Sequence, residues 1–389
     1  MVDRTWRATR AIRCMAALIT FFCLMAHNAM AEGLVSQHQT SVEQSGFTLK
    51  TPPKIAILFY DRRTDGGWMA SFETARLKLQ KELGLEIAFE QSVTESPSRV
   101  IVATERFITE GYNIIIGTGS YYSDTFQLLA SRHPDIAFLN AAGSTNAPNL
   151  QSFYGRTFDS HYLCGIAASA MSKRHKIGYI AARDVPVVNW GVNGFMLGVR
   201  HHDPDGKVMV IYDDDWANPR RETDNTNALI DMGADVIGQH VNTPTPQIIA
   251  QMRGVLSTGH HRDMSDVAPD ATICSSIWNW NRYLLPELKK IMAGNWHPDP
   301  EGALPSFRDG PTDIALNTKL VPEDIQRMVM EERQALIEGK DIFAGPLSDR
   351  TGERIIGSGS MLTKGQLLEM NWHMPGIEIY EAPKQEDYK

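Results

Sequence analysis

From Lys54 onward, short apolar runs alternate with longer segments of helical spacing, and this alternation limits the fold more than any single motif does. "KIAILFY" (54–60), "LEIAFEQ" (85–91), "YNIIIGTG" (112–119) and "IAFLNAAG" (136–143) read as strands. Between them, "WMASFETARLKLQKEL" (68–83), "SRVIVATERFITEG" (98–111) and "SDTFQLLASRHPD" (123–135) read as helices. The strand runs are apolar without alternation, the mark of a parallel sheet covered on both faces. The same pattern restarts after "HYLCGIAASAMSK" (161–173), with strands at "KIGYIAA" (176–182), "KVMVIYD" (207–213), "ADVIGQH" (234–240) and "ATICSSI" (271–277). The expected fold class is therefore α/β: two doubly wound parallel-sheet lobes joined at a hinge. The first lobe is expected over 54–157, completed by about 279–310. The second is expected over 158–278, completed by about 311–345, with 346–389 a tail packing back on the lobes. Strand C-termini in such lobes gather loops around a cleft between them.

The first residues follow a different logic. Arg4, Arg7, Arg10 and Arg13 precede the apolar "MAALITFFCLMA", and the small-residue pattern "AMA" ends at Ala31. This is the layout of a secretory signal peptide over 1–31, followed by a polar leader over 32–53. The apolar stretch is short for a membrane span, and "TFF" before Cys23 lacks the small residues of a lipid-anchor signal. Export to the periplasm without a lipid anchor is expected. The formal charge is −8 for 389 residues, and loss of Asp3 and the four arginines would leave −11. That balance argues against a nucleic-acid partner. Cys164 and Cys274 would remain in the mature chain, read as two buried thiols, although the compartment allows a disulfide.

Catalytic signatures are missing. There is no phosphate loop GxxxxGK[ST], no GxGxxG, no GxSxG elbow and no HExxH. "GHHRDMSD" (259–266) reads as a polar loop, because adjacent side chains in a loop rarely share one metal ion. "YDDDW" (212–216) reads as a solvated acidic turn. No cofactor and no metal are expected.

What stands out is the placement of aromatics and amides just beyond strand ends. Trp68 follows the first strand, Ser120 and Tyr121 the third, and Trp190 with Asn193 the strand "IGYIAA". Trp216 follows "IYDDD", Asn242 follows "GQHV", and Trp278 and Trp280 follow "ATICSSI". One tryptophan in a β–α loop packs between layers more often than it meets a ligand. A whole set at equivalent strand ends suits a planar, polar-edged heterocycle, stacked on rings and identified by in-plane hydrogen bonds.

The stretch 176–246, together with "TDGGW" (64–68), "RDMS" (262–265), "WNW" (278–280), "AGPLSDRTGE" (344–353) and "EMNWHMPGIE" (369–378), closely resembles the basic membrane lipoprotein family of ABC-importer substrate-binding proteins. The resemblance spans Lys54 to Glu378. It implies a type I periplasmic binding fold, two lobes closing on a ligand, no catalysis, and delivery to a membrane permease by a monomeric protein. It also implies a purine nucleoside or free purine base as ligand, with Asp65, Trp68, Asn193 and Asp263 at family ligand positions. Two departures bear on the ligand. Asn242 stands where relatives carry aspartate, so an amide that both donates and accepts replaces an acceptor. Trp278 stands where the nucleoside-binding branch carries a ribose-contacting lysine, which favours a free base. Trp190 stands where relatives carry arginine and would supply a second stacking face. A sensor docking on a membrane receptor, or less plausibly a purine-processing enzyme, is the alternative.

Overall fold

Strand β1 (Ile55–Leu58) is four aliphatic residues with no solvent exposure, and its side chains alternate between two separate cores. Ile55 and Ile57 join one apolar cluster, Ala56 and Leu58 the other. With period two along the strand and apolar packing on both sides, the sheet must be sandwiched between helices. β2 (Ile87–Glu90), β3 (Ile114–Gly117), β4 (Ala137–Ala141) and β5 (Leu150–Phe153) complete a five-stranded parallel sheet in the order β2-β1-β3-β4-β5. Helices α1 (Trp68–Leu83), α2 (Pro97–Thr109) and α3 (Ser123–Arg132) connect the first four strands. The computed structural model describes residues 46–94 and 96–383; the expected signal peptide and most of the leader lie outside the described residues.

The second sheet repeats the first. β6 (Ile177–Ala181), β7 (Val208–Tyr212), β8 (Val236–His240), β9 (Leu256–Gly259) and β10 (Thr272–Trp278) run parallel in the order β7-β6-β8-β9-β10, the same winding. Two strands extend its edges: β11 (Thr312–Leu316) lies antiparallel to β10, and β14 (Ile377–Tyr380) lies parallel to β7. A small hairpin, β12 (Leu347–Ser348) with β13 (Arg354–Ile356), precedes β14. The helices are α4 (Thr157–Met171), α5 (Pro186–His202), α6 (Pro219–Asp231), α7 (Thr245–Arg253), α8 (Trp280–Ala293), α9 (Glu323–Ile337) and the short α10 (Lys364–Leu368). Helices α4 and α5 touch backbone to backbone. A Cβ at Gly198 would stand 1.9 Å from the Tyr162 carbonyl oxygen, and one at Gly165 2.1 Å from that of Phe195.

The chain passes between the sheets at 154–156, at Asn279 and before Pro311, and these passages are tied together. The Tyr154 amide donates to the Ala303 carbonyl at 3.0 Å, and the Asn279 amide to the Pro311 carbonyl at 2.7 Å. A Cβ at Gly155 would stand 2.7 Å from the Trp278 ring, so only glycine lets these passages lie side by side. After the last passage but one, α8 packs into the core of the first sheet through Trp280, Tyr283, Leu284, Leu288 and Ile291.

Three sequence expectations need correcting. The strand at "ATICSSI" runs on to Trp278, because β11 supplies a partner for it in Thr312. His260 and His261, expected in a polar loop, are buried at 0% and 3% exposure. Asp213, expected in a solvated turn, is also buried, and its Oδ1 accepts from the Asn225 side chain at 2.6 Å. In both segments side chains of other elements cover these residues: His161 of α4 and Trp278 of β10 pack on the histidines, and Asn225 of α6 meets Asp213.

Candidate functional site

The two lobes meet over the loop between β1 and α1. The Arg262 Nε donates to the Gly66 carbonyl at 2.9 Å, and a Cβ at Gly67 would stand 2.1 Å from the Asn242 carbonyl oxygen. Asp65 organises this loop: its carboxylate accepts from the amides of Gly67, Met69 and Ala70 at 2.9–3.0 Å. These are free N–H groups at the start of α1, so Asp65 acts as the cap of that helix. Burial nevertheless holds its carboxyl above the usual range, against the lowering effect of the three amides.

Trp68, at the first position of α1, donates its Nε1 to the Thr118 carbonyl at 2.8 Å, which aims its ring across the cleft floor. It stacks on Tyr154 at 5.9 Å and 24°, and meets the edges of Trp278 and Trp280, both at 5.4 Å. Trp278 and Trp280 lie face to face at 4.1 Å, and Phe72 covers the other face of Trp280 at 4.8 Å. With both faces covered and its Nε1 on Ser71 Oγ at 3.0 Å, Trp280 is a wall behind the box rather than a platform. The Trp278 Nε1 is committed to His261 Nδ1 at 3.0 Å. Trp190 lies beside the box, its ring 5.7 Å from Tyr154 and 5.8 Å from Phe158. It is fully buried and donates to the Leu367 carbonyl at 2.7 Å.

The remaining candidates separate. Asn242 is half-buried at the lobe contact, and its side-chain amide has no hydrogen-bond partner among the described residues. Asn193 is fully buried and fully used: it donates to the Trp372 carbonyl at 2.9 Å and accepts from the Met374 amide at 2.8 Å, pinning the C-terminal segment to α5. Asp263 is exposed and caps a turn through the Ser265 amide. Ser120 is exposed, and Tyr121, 48% exposed, stacks on Tyr60 at 6.1 Å.

Sequence reading missed Tyr154 and a set of four histidines. Tyr154 follows β5 at the first passage between lobes, and its hydroxyl has no hydrogen-bond partner among the described residues. Its signal was an aromatic at a strand end, the same as for the others. His161, His240 and the adjacent pair His260 and His261 come from three separate stretches and cluster behind Trp278, with ring centroids 3.9 Å apart for His260 and His261 and 4.2 Å for His240 and His260. Desolvation holds all four imidazoles neutral; the His240 value is pushed down to about 3.

Two similarly wound lobes, with an aromatic box where the chain passes between them, are the layout of a solute-binding protein. Residues 53–304 match the family described as ABC transporter substrate-binding protein, PnrA-like. The chain belongs to that family. It is a substrate-binding protein of ABC transporters and not an enzyme. Among relatives of this PnrA-like protein, a purine-binding protein of Brucella abortus is 30% identical over 84% of this chain and 93% of its own length. A candidate ABC transporter glucose-binding protein of Haloferax volcanii is 27% identical over 72% of this chain and 71% of its own. The solved structure of an ABC transporter solute-binding protein from Conexibacter woesei superposes with a TM-score of 0.61 over 74% of this chain and 97% of its own, at 19% identity. That likeness establishes the fold, which is of the periplasmic-binding-protein type. Among the described residues no helix is long and apolar enough to cross a membrane.

Proposed function

We propose that this PnrA-like protein is exported to the periplasm, where as a monomer it captures a purine-like heterocycle between its lobes and presents it to a membrane permease. The observation that carries the reading is the aromatic box of Trp68, Tyr154 and Trp278 at the passage between lobes, with the Tyr154 hydroxyl and the Asn242 amide, which have no hydrogen-bond partner among the described residues, beside it. Flat rings supply affinity for a flat ligand, and the hydroxyl and amide supply both donors and acceptors for its edges. The purine binding named for the Brucella relative supports the same class. A free base is favoured over a nucleoside. Trp278 has already spent its one N–H on His261 and offers nothing to ribose hydroxyls.

The test is a thermal-shift and calorimetric panel of adenine, guanine, hypoxanthine, their nucleosides and glucose. Stabilisation by at least one free base, exceeding that by its nucleoside, is expected. Stabilisation by glucose alone, or by none of the panel, overturns the assignment.

A further inference from the structure

We propose that His161, His240 and His260 form a binding site for one divalent transition-metal ion, of the zinc, cobalt, nickel or copper class, buried in the second lobe. The imidazole nitrogens these three residues can offer lie within 4.8 Å of one another. They come from α4, the end of β8 and the residue after β9, so the fold rather than a local motif assembles them. Exposure is 1%, 1% and 0%. Each ring carries one buried nitrogen without a hydrogen-bond partner among the described residues: Nε2 of His161, Nδ1 of His240 and Nε2 of His260. Three unmet polar atoms converging in a core are costly unless something fills the space between them.

Hydrogen bonds around the cluster assign the protons. The Ser160 hydroxyl donates to the Thr157 carbonyl at 2.9 Å, so in its 2.7 Å contact with Ser276 it accepts. Ser276 therefore donates to Ser160 and accepts from His260 Nδ1, 3.3 Å away. That leaves His260 Nε2 as a bare lone pair. His161 Nδ1 lies 3.1 Å from the Tyr179 hydroxyl, which can hold the same tautomer there. In His161 and His260, an oxygen partner on the outer nitrogen with the inner nitrogen left free is the arrangement that metal-binding histidines use. His261 is excluded from the ligand set: it accepts from Trp278 Nε1, so its proton sits on Nε2.

Space is provided as well. A Cβ at Gly191 would stand 2.8 Å from His240 Nδ1 and 3.2 Å from the His161 ring, so glycine keeps the hollow open. Tetrahedral coordination with metal–nitrogen bonds of about 2.0–2.1 Å needs nitrogens about 3.4 Å apart, an inward movement on the order of 1 Å. Three imidazoles and no carboxylate favour a borderline transition metal over calcium or magnesium. A fourth position remains for solvent or an anion.

The test uses the full chain, stripped with chelator and dialysed against Zn²⁺ or Co²⁺ without purine. Elemental analysis is expected to find one ion per chain, and the Co²⁺ protein to show the intense visible bands of a low-coordinate nitrogen site. H240N and H260Q should lower affinity at least about 100-fold and Y179F about 10–100-fold, while H297Q, at an exposed histidine, should leave it unchanged. Absence of stoichiometric metal in the wild-type protein, an octahedral Co²⁺ spectrum, or full metal retention in the H240N/H260Q double variant would overturn the site. The wild-type spectrum decides the matter even where a variant fails to fold. Because purine is absent, the outcome is independent of the proposed cargo.

Discussion

At the scale of single residues, the same side-chain type is used in different ways a few ångströms apart. Trp68 keeps an accessible position on the cleft floor, Trp280 is closed on both faces, and Trp190 is tied to the C-terminal segment. Trp68→Ala is therefore expected to weaken purine binding by about 1–3 kcal/mol, roughly 5–150-fold, the usual worth of a base–aromatic stack. Calorimetry of the variant beside the wild type checks this, and Trp190→Phe should change stability more than affinity. Asp213 gives a second prediction. Burial, with Glu222 and Asp215 nearby and only partly offset by Arg221 and Asn225, pushes its carboxyl up to about 7. A raised carboxyl favours the folded state when protonated. Its contribution is whole below about pH 4 and is lost as the pH rises through 7. Urea unfolding between pH 5 and 8 is expected to show stability falling with pH, and Asp213→Asn should flatten that fall. Each of these tryptophans was visible in the sequence as an aromatic at a strand end. Which ring faces were already covered was not, because Phe72 and Trp280 are brought together from positions more than 200 residues apart.

At the scale of elements, caps and helix contacts add to the stability that the apolar cores supply. The resemblance put Asp65 at a family ligand position, and the structure gives it three amides at the start of α1. Asp65→Ala is expected to cost about 0.5–2 kcal/mol in thermal denaturation, while Asp65→Ser should recover most of it by keeping a cap acceptor. If the carboxylate reads ligand as well, the serine variant will hold stability and lose affinity. Between α4 and α5 there is no room for a side chain at Gly198, so Gly198→Ala should force the helices apart and destabilise the second lobe by about 1–3 kcal/mol. Most helices and strands followed from periodicity, since core burial on both sheet faces demands uninterrupted apolar strands, but the four-residue strands β5 and β9 were not among those expected. Nor were the edge strands β11 and β14. Their sequences are short and half-exposed, and only pairing with β10 and β7 makes them strands.

At the scale of the whole molecule, the two lobes meet over Gly66 and Gly67. Gly67→Ala would drive a methyl group into the Asn242 carbonyl. The expected result is a lobe contact that cannot form: small-angle scattering should show a more extended particle with saturating ligand, and affinity should drop at least tenfold, with little loss of thermal stability in the free protein. The repeated winding of the two sheets was readable from the sequence alone, because alternating strands and helices admit few arrangements and right-handed crossovers fix the rest. Family membership was readable too, from ordered motifs spread along the chain. The tertiary structure alone decided which candidates lie together. It gathered Trp68, Tyr154 and Trp278 at one passage, sent Asn193 to hold the C-terminal segment and left Asp263 at the surface. It also made four histidines from distant stretches into one buried cluster. The reason is physical: periodicity reports which face of an element is buried, but proximity between elements is set by sheet order and packing, which no local stretch of sequence contains.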